Sequence, residues 1–209
     1  MNLNDVRDHY EQTLFRPGDS GAKVGWKDSD AQRIRFEVIW RILDGYNPKS
    51  ITDVGCGTGD LLSFLRARGW IGKYSGIDIS PKMISAAKDR FRNDEFALFS
   101  NSLEIPHSDF AVASGVFNVS LGADSKAWYA YSEKLICQMW DASECGVVFN
   151  MLSSDSDRGR HKSELSYFDL SYVASFVRVN LTHNLRLDQT YGQFDFTIAA
   201  FRSAFGARL

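Results

Sequence analysis

The sequence predicts one doubly wound α/β domain, and three observations predict it. Short apolar runs alternate with amphipathic helical stretches from about residue 50 to residue 179, the pattern of parallel strands covered by helices on both faces. The run Ile51-Thr-Asp-Val-Gly-Cys-Gly-Thr-Gly-Asp60 reads as a strand ending in a glycine-rich turn. Two strand-like runs close the chain with only a short turn through Tyr191-Gly192 between them, which predicts an antiparallel hairpin.

Taken in order, residues 2–14 read as a short helix, broken by Arg16-Pro-Gly-Asp-Ser-Gly21. A second helix starts near Ser29 and carries Ala31, Ile34, Val38 and Ile42 on one buried stripe. It is expected to stop at Gly45, with Pro48 preventing resumption. Ser50–Val54 is the first strand. The glycine turn feeds a helix from about Thr58 to Arg68, closed by Gly69, and Lys73–Asp78 is the second strand. Ser80 caps a helix with Pro81 at its first position and Ile84, Ala87 and Phe91 on one side. Phe96–Phe99 and Phe110–Ser114 are the third and fourth strands. Asp124 caps a helix whose apolar stripe is Trp128, Tyr131, Leu135 and Met139. Gly146–Met151 is nearly all apolar, hence a strand buried on both faces. The polar stretch Ser153–Ser166 has no periodicity and reads as a loop. A helix over Asp169–Val179 leads to strands Thr182–Gln189 and Gln193–Phe201. With no linker, repeat or low-complexity tract, residues 1–209 are expected to form a single domain, with 1–47 a helical lid on a core of 48–209.

Composition narrows the function classes. A net charge of −2 lacks the basic footprint of a nucleic-acid reader, so no nucleic-acid partner is expected. No run reaches the roughly 18 apolar residues that span a bilayer, and the polar start lacks a signal-peptide core. No membrane partner and a cytoplasmic location follow as expectations. Cys56, Cys137 and Cys145 show neither disulfide nor zinc spacing. No dense His/Asp/Glu cluster predicts a metal site, Asp155 and Asp157 being the nearest approach to one.

The glycine spacing selects the ligand class. A dinucleotide turn wants G-x-G-x-x-G, with the third glycine opening the helix. Here the glycines are Gly55, Gly57 and Gly59, and Asp60 occupies the place of that third glycine. Asp53, two residues before the first glycine, repels a pyrophosphate and suits the α-ammonium of an amino-acid-bearing nucleoside. S-adenosyl-L-methionine is the foremost candidate. Asp78 ends the second strand, where a carboxylate accepts hydrogen bonds from ribose hydroxyls.

At these residues the chain resembles the class I S-adenosylmethionine-dependent methyltransferases. Their first motif is similar to Asp53-Val-Gly-Cys-Gly-Thr-Gly59, and their ribose-binding acid is matched by Asp78. The likeness is close over residues 49–118 and looser, by element order, to about residue 202. It implies a Rossmann-like sheet of seven strands in the order 3-2-1-4-5-7-6, with an antiparallel C-terminal strand. It also implies a cofactor cradle of Gly55, Cys56, Gly57 and Gly59. Ile79 and Met83 would enclose the adenine, Asn101 would meet its amino group, and a backbone amide of Ser102 or Leu103 would stand beside it. Ser114 and Gly115 fall in Asp109–Asn118, the segment that runs under the transferred methyl group in that family. The turn Ser114-Gly-Val-Phe-Asn118 departs from the Asn/Asp-Pro-Pro-Tyr/Phe sequence of enzymes that methylate base amines. A weaker resemblance, through Gly25-Trp26-Lys27 and Asn150-Met-Leu152, reaches a group of bacterial methyltransferases.

The activity implied is methyl transfer by in-line displacement to the oxygen or nitrogen of a small-molecule acceptor. A carbon already activated by a sulfonium asks the protein mainly for orientation, desolvation and, for some nucleophiles, a base. His161 is the candidate base, since it falls in the aperiodic loop after the fifth strand and imidazole titrates near neutrality. Trp26 is a candidate face for the sulfonium. Tyr10, Asn118, Arg158 and Tyr191 are candidate acceptor contacts, with Phe194 a further pocket wall and Arg16 and Arg35 weaker candidates for the methionine carboxylate or the acceptor. Arg158 opens the one concentrated basic stretch, Arg158-Gly-Arg-His-Lys162, which suits an anionic substrate group. The alternative reading is a nucleoside-binding scaffold or regulatory protein without turnover.

Overall fold

The computed structural model describes residues 3–14, 29–156, 159 and 161–203. Helix α1 is Leu3–Leu14 and helix α2 is Ser29–Leu43. The core then runs β1 (Ser50–Val54), α3 (Asp60–Ala67), β2 (Lys73–Ile77), α4 (Pro81–Arg90), β3 (Ala97–Ser100) and β4 (Ser108–Ala113). It continues with α5 (Ser125–Asp141), β5 (Ser143–Leu152), α6 (Leu170–Asn180), β6 (Leu185–Asp188) and β7 (Asp195–Phe201). Seven strands form one sheet in the order β3-β2-β1-β4-β5-β7-β6. Neighbours from β3 to β5 are parallel, while β7 runs antiparallel to both β5 and β6.

Side-chain alternation along the strands builds two apolar layers. On one face Ile51, Tyr74, Phe99, Phe110 and Val112 meet α2, α3 and α4 through Ile39, Leu43, Leu62, Leu65 and Ile84. On the other, Ala111, Ala113, Val147, Phe149 and Ile198 meet α5 and α6 through Trp128, Ile136, Met139, Val173 and Val177. Burying each large apolar side chain contributes about 1.5–3 kcal/mol, so these layers rather than helix propensity hold the elements.

Caps fall where local chemistry places them. Ser80 Oγ accepts from Met83 N at 3.2 Å, Asp124 from Ala127 N at 3.0 Å, and Asp169 from Tyr172 N at 2.8 Å. The end of α2 differs from expectation. Gly45 lies inside a 3-10 turn, Asp44–Tyr46, and Asn47 takes the left-handed position at φ 46°. Asparagine tolerates that conformation, so the stop comes two residues later. β5 is longer than its apolar run at both ends, because Ser143 pairs with Ser108 of β4 and Leu152 with Asp195 of β7. β6 is shorter than expected, since only Leu185–Asp188 finds a partner on β7.

Candidate active site

The site grows from the carboxyl ends of β1 and β2. Gly55 leaves β1 at φ +74°, and an added Cβ would stand 2.3 Å from Val116 Cγ2. Gly55 N and Cys56 N both donate to Ile77 O, at 2.8 and 3.0 Å, which ties the turn to β2. Gly59, at φ +82°, caps α3, where a Cβ would stand 2.6 Å from Phe91 Cε2.

Asp78 joins this turn to the next helix. Its Oδ2 accepts from Gly57 N at 3.0 Å and its Oδ1 from Ser80 N at 2.8 Å, which fixes the carboxylate and leaves lone pairs on both oxygens. Burial pushes its pKa upward against these backbone donors. Asp53 lies deeper, and Tyr74 Oη donates to its Oδ2 at 2.5 Å. Burial raises the Asp53 pKa to about 7; the Tyr74 bond opposes the rise, and the charges of Asp78 and Asp60 add to it. Burial and the charges of Asp53 and Asp78 push the Cys56 thiol well up, so it is a poor nucleophile.

These groups open into a cavity of about 570 Å³. Of the residues expected at the site, Asp53, Gly55, Cys56, Gly57, Asp78, Ile79, Met83, Ser102 and Leu103 line it. So do Ser114, Gly115, Tyr10, Asn118 and His161. Gly59 stands behind the turn as a helix cap. Asn101 is not among the residues lining the cavity: its Nδ2 donates to the Asp78 carbonyl at 2.8 Å, so it supports the loop that carries Asp78. Tyr191 lies off the cavity wall, its hydroxyl 3.0 Å from Thr197 Oγ1. Trp26 and Arg158 lie outside the described residues, as do Arg16 and Asp157.

Arg35 and Phe194, weaker candidates in the sequence, also line the cavity, and further residues were not singled out by the sequence as site residues. Arg35 of α2 reaches the wall while paired with buried Asp195. Trp128 and Tyr131 line it from α5; their stripe is legible, but not that one edge faces a ligand space. Asn150 is fully buried in β5. Its Oδ1 accepts from Gly115 N at 3.0 Å and its Nδ2 donates to Ser114 Oγ at 3.1 Å, shaping the turn after β4.

The stretch after β5 is a knitted strap. Ser120 N and Leu121 N both donate to Glu164 O at 3.0 Å, and Ser166 N to Asn118 O at 2.9 Å. Phe168 N donates to Leu152 O at 2.7 Å. His161 stacks on Tyr167 with centroids 3.7 Å apart, and its Nε2 is 2.9 Å from Ser156 Oγ. Ser156, His161, Lys162, Leu165 and Tyr167 all face the cavity. Among the described residues no group of three His, Cys, Asp or Glu is placed to hold a metal ion, and no helix is long and apolar enough to cross a membrane.

Comparison with known proteins gives these features a lineage. A family model for a methyltransferase domain matches residues 51–130. A Mycobacterium tuberculosis protein named as a methyltransferase is 38% identical over 159 residues, covering 76% of this chain and 96% of its own length. A ubiquinone/menaquinone biosynthesis C-methyltransferase of Campylobacter jejuni is 32% identical over 112 residues, 47% of this chain and 43% of the relative. Among solved structures, magnesium protoporphyrin IX methyltransferase of Synechocystis PCC 6803 superposes with a TM-score of 0.69, at 14% identity over 97% of this chain and 100% of that one. The N-methyltransferase NodS of Bradyrhizobium japonicum gives 0.64, at 15% identity over 94% and 97%. At such identities the structural likeness carries the fold, whereas the sequence relationship carries the family. The chain belongs to the class I S-adenosylmethionine-dependent methyltransferases.

Proposed function

We propose that this enzyme methylates an oxygen or nitrogen of a small-molecule acceptor. The observation that carries the reading is one cavity lined at one end by Asp53, Gly57 and Asp78 and at the other by His161 and Tyr167. With strands about 4.8 Å apart, the three steps from β2 to β5 give it a length of roughly 14 Å, enough for a nucleoside-bearing amino acid and a small acceptor. The NodS and protoporphyrin enzymes, named for nitrogen and small-molecule methylation, are consistent with this substrate class.

The donor set fits the cofactor: a fixed carboxylate with free lone pairs, a turn without Cβ atoms, and a buried acid nearby. Asp78 holds the ribose hydroxyls and Asp53 the α-ammonium. Ile79, Met83 and Leu103 enclose the adenine. When bound, S-adenosylmethionine supplies an electrophilic methyl group on a sulfonium that leaves as a thioether. The chain's own work is to orient the acceptor in line, exclude water and take a proton. With Nε2–H donating to Ser156 Oγ, the Nδ1 lone pair of His161 takes the proton of a hydroxyl or amine acceptor. α1 serves as a lid: Val6 and Tyr10 line the cavity while Glu11 bonds Lys82 of α4 and Ser80 at its cap, at 2.9 Å each. We place the enzyme in the cytoplasm, without nucleic-acid or membrane partners, in keeping with its three free cysteines and net charge of −2.

The test is thermal stability with S-adenosylhomocysteine, followed by methyl transfer from labelled cofactor to small acids, phenols and amines. Ligand at about 100 times its dissociation constant stabilises by roughly 2.7 kcal/mol, on the order of 5–10 °C for a domain of this size. Label that passes to a protein or RNA and to no small acceptor would sink the proposal.

A further inference from the structure

We infer that the acceptor carries an anionic oxygen group, a carboxylate or a phosphate, and that Lys162 receives it at the strap end of the cavity. The inference rests on the small-molecule reading above and specifies its substrate. Charge along the cavity is divided. Its lining carboxylates among the described residues, Asp53, Asp60 and Asp78, sit at or just after the ends of β1 and β2. Asp60 is already paired with Arg90 at 2.5 Å. Among the described residues, three side chains on the wall carry or can take positive charge: Arg35, His161 and Lys162. Arg35 is committed to Asp195. That leaves the strap.

The Lys162 ammonium makes no hydrogen bond or ion pair among the described residues, whereas its backbone N donates to Tyr167 Oη at 3.1 Å. The backbone is therefore held while no described residue engages the ammonium. Among the described residues no carboxylate lines this end. Glu164, two residues on, accepts from Ser163 Oγ at 3.4 Å and does not reach the wall. A cationic acceptor would meet no counter-charge from the described residues here, and an anionic one meets Lys162. Leu165 and Phe194 supply apolar surface beside it, and the Tyr167–His161 stack a flat one. The favoured acceptor thus has a planar or apolar body with an acidic group near one edge.

The test uses the whole chain saturated with S-adenosylhomocysteine, titrated by calorimetry with 2-naphthoate, 2-naphthyl phosphate and neutral 2-naphthamide. We expect at least one anion to bind about fivefold tighter than the amide, the scale of one partly exposed ion pair. Lys162→Gln should erase that preference and Lys162→Arg restore it, with the amide unaffected. Preference for naphthoate points to a carboxylate and preference for the phosphate ester to a phosphorylated acceptor. Equal binding of anions and amide, an unaltered preference in Lys162→Gln, or no probe binding to a protein that holds S-adenosylhomocysteine would overturn the inference. Failure to bind S-adenosylhomocysteine would instead count against the cofactor site.

Discussion

Tyr74 donates its hydroxyl proton to Asp53, 2.5 Å away on the neighbouring strand, in the floor of the cofactor end. The parallel register explains the reach. Ile51 pairs with Tyr74 and Asp53 with Gly76, so Tyr74, Gly76 and Asp53 share one face of the sheet. Gly76 is the gap that admits their neighbours: a Cβ there would stand 2.7 Å from Phe99 Cδ1 and 2.8 Å from Cys56 Sγ. Tyr74→Phe removes the donor, and loss of one hydrogen bond to a charged group costs about 1.5–3 kcal/mol. We expect S-adenosylhomocysteine affinity at pH 7 to fall roughly tenfold or more, read by calorimetry.

Asp53 also sets a pH dependence. Its folded pKa of about 7 lies above its ordinary 3.8, so between those values the folded chain holds a proton that the unfolded chain has released. Its contribution to stability is greatest below 3.8, falls as pH rises through the window, and is flat above 7. Affinity for an ammonium-bearing ligand runs the other way, because that ligand needs the carboxylate. From pH 6 to 8 the melting temperature of the free protein is expected to fall and S-adenosylhomocysteine affinity to rise. Asp53→Asn should abolish both slopes.

Gly55→Ala meets two obstacles, a left-handed backbone and Val116 Cγ2 at 2.3 Å. The backbone alone costs about 1–2 kcal/mol. Adding Val116→Ala relieves the contact but not the φ. Urea denaturation should show partial rescue in the double variant; full rescue would contradict the backbone argument.

Asn150→Ala leaves Gly115 N–H without its acceptor inside the protein, at a cost of about 1–3 kcal/mol. Because Asn150 shapes the turn through Ser114 and Gly115, a fall in kcat is expected beyond the loss of stability. Turnover measured well below the melting temperature separates the two.

Arg35→Met strands buried Asp195 as an uncompensated charge, and breaking such a pair costs about 3–5 kcal/mol. Asp195→Leu in the same chain is expected to recover most of it. Chemical denaturation of the single and double variants reads the coupling.

His161→Gln is expected to leave S-adenosylhomocysteine affinity unchanged. Turnover of a hydroxyl or amine acceptor should drop about 100-fold or more, the scale of a lost general base. Equal turnover in both proteins would remove His161 from the chemistry.

What the sequence determined by itself is local. Ser80-Pro81, Asp124 and Asp169 announce helix starts because a cap answers amide groups two or three residues away. The glycine triplet with Asp53 and Asp78 announces the cofactor turn, because its backbone and its acids lie within one strand-turn-helix unit and the strand beside it. Tertiary structure decided the rest. The strap after β5 has no period because its backbone partners are residues 118–121 and 152, far back along the chain. The Asn101 amide is drawn to the Asp78 carbonyl, and the Tyr191 hydroxyl to Thr197, by neighbours that no spacing rule names. The Tyr74–Asp53 bond and the Arg35–Asp195 pair arise only once register sets strand beside strand and α2 against β7. A chain written in one dimension records which groups can bond; the sheet order settles which of them meet.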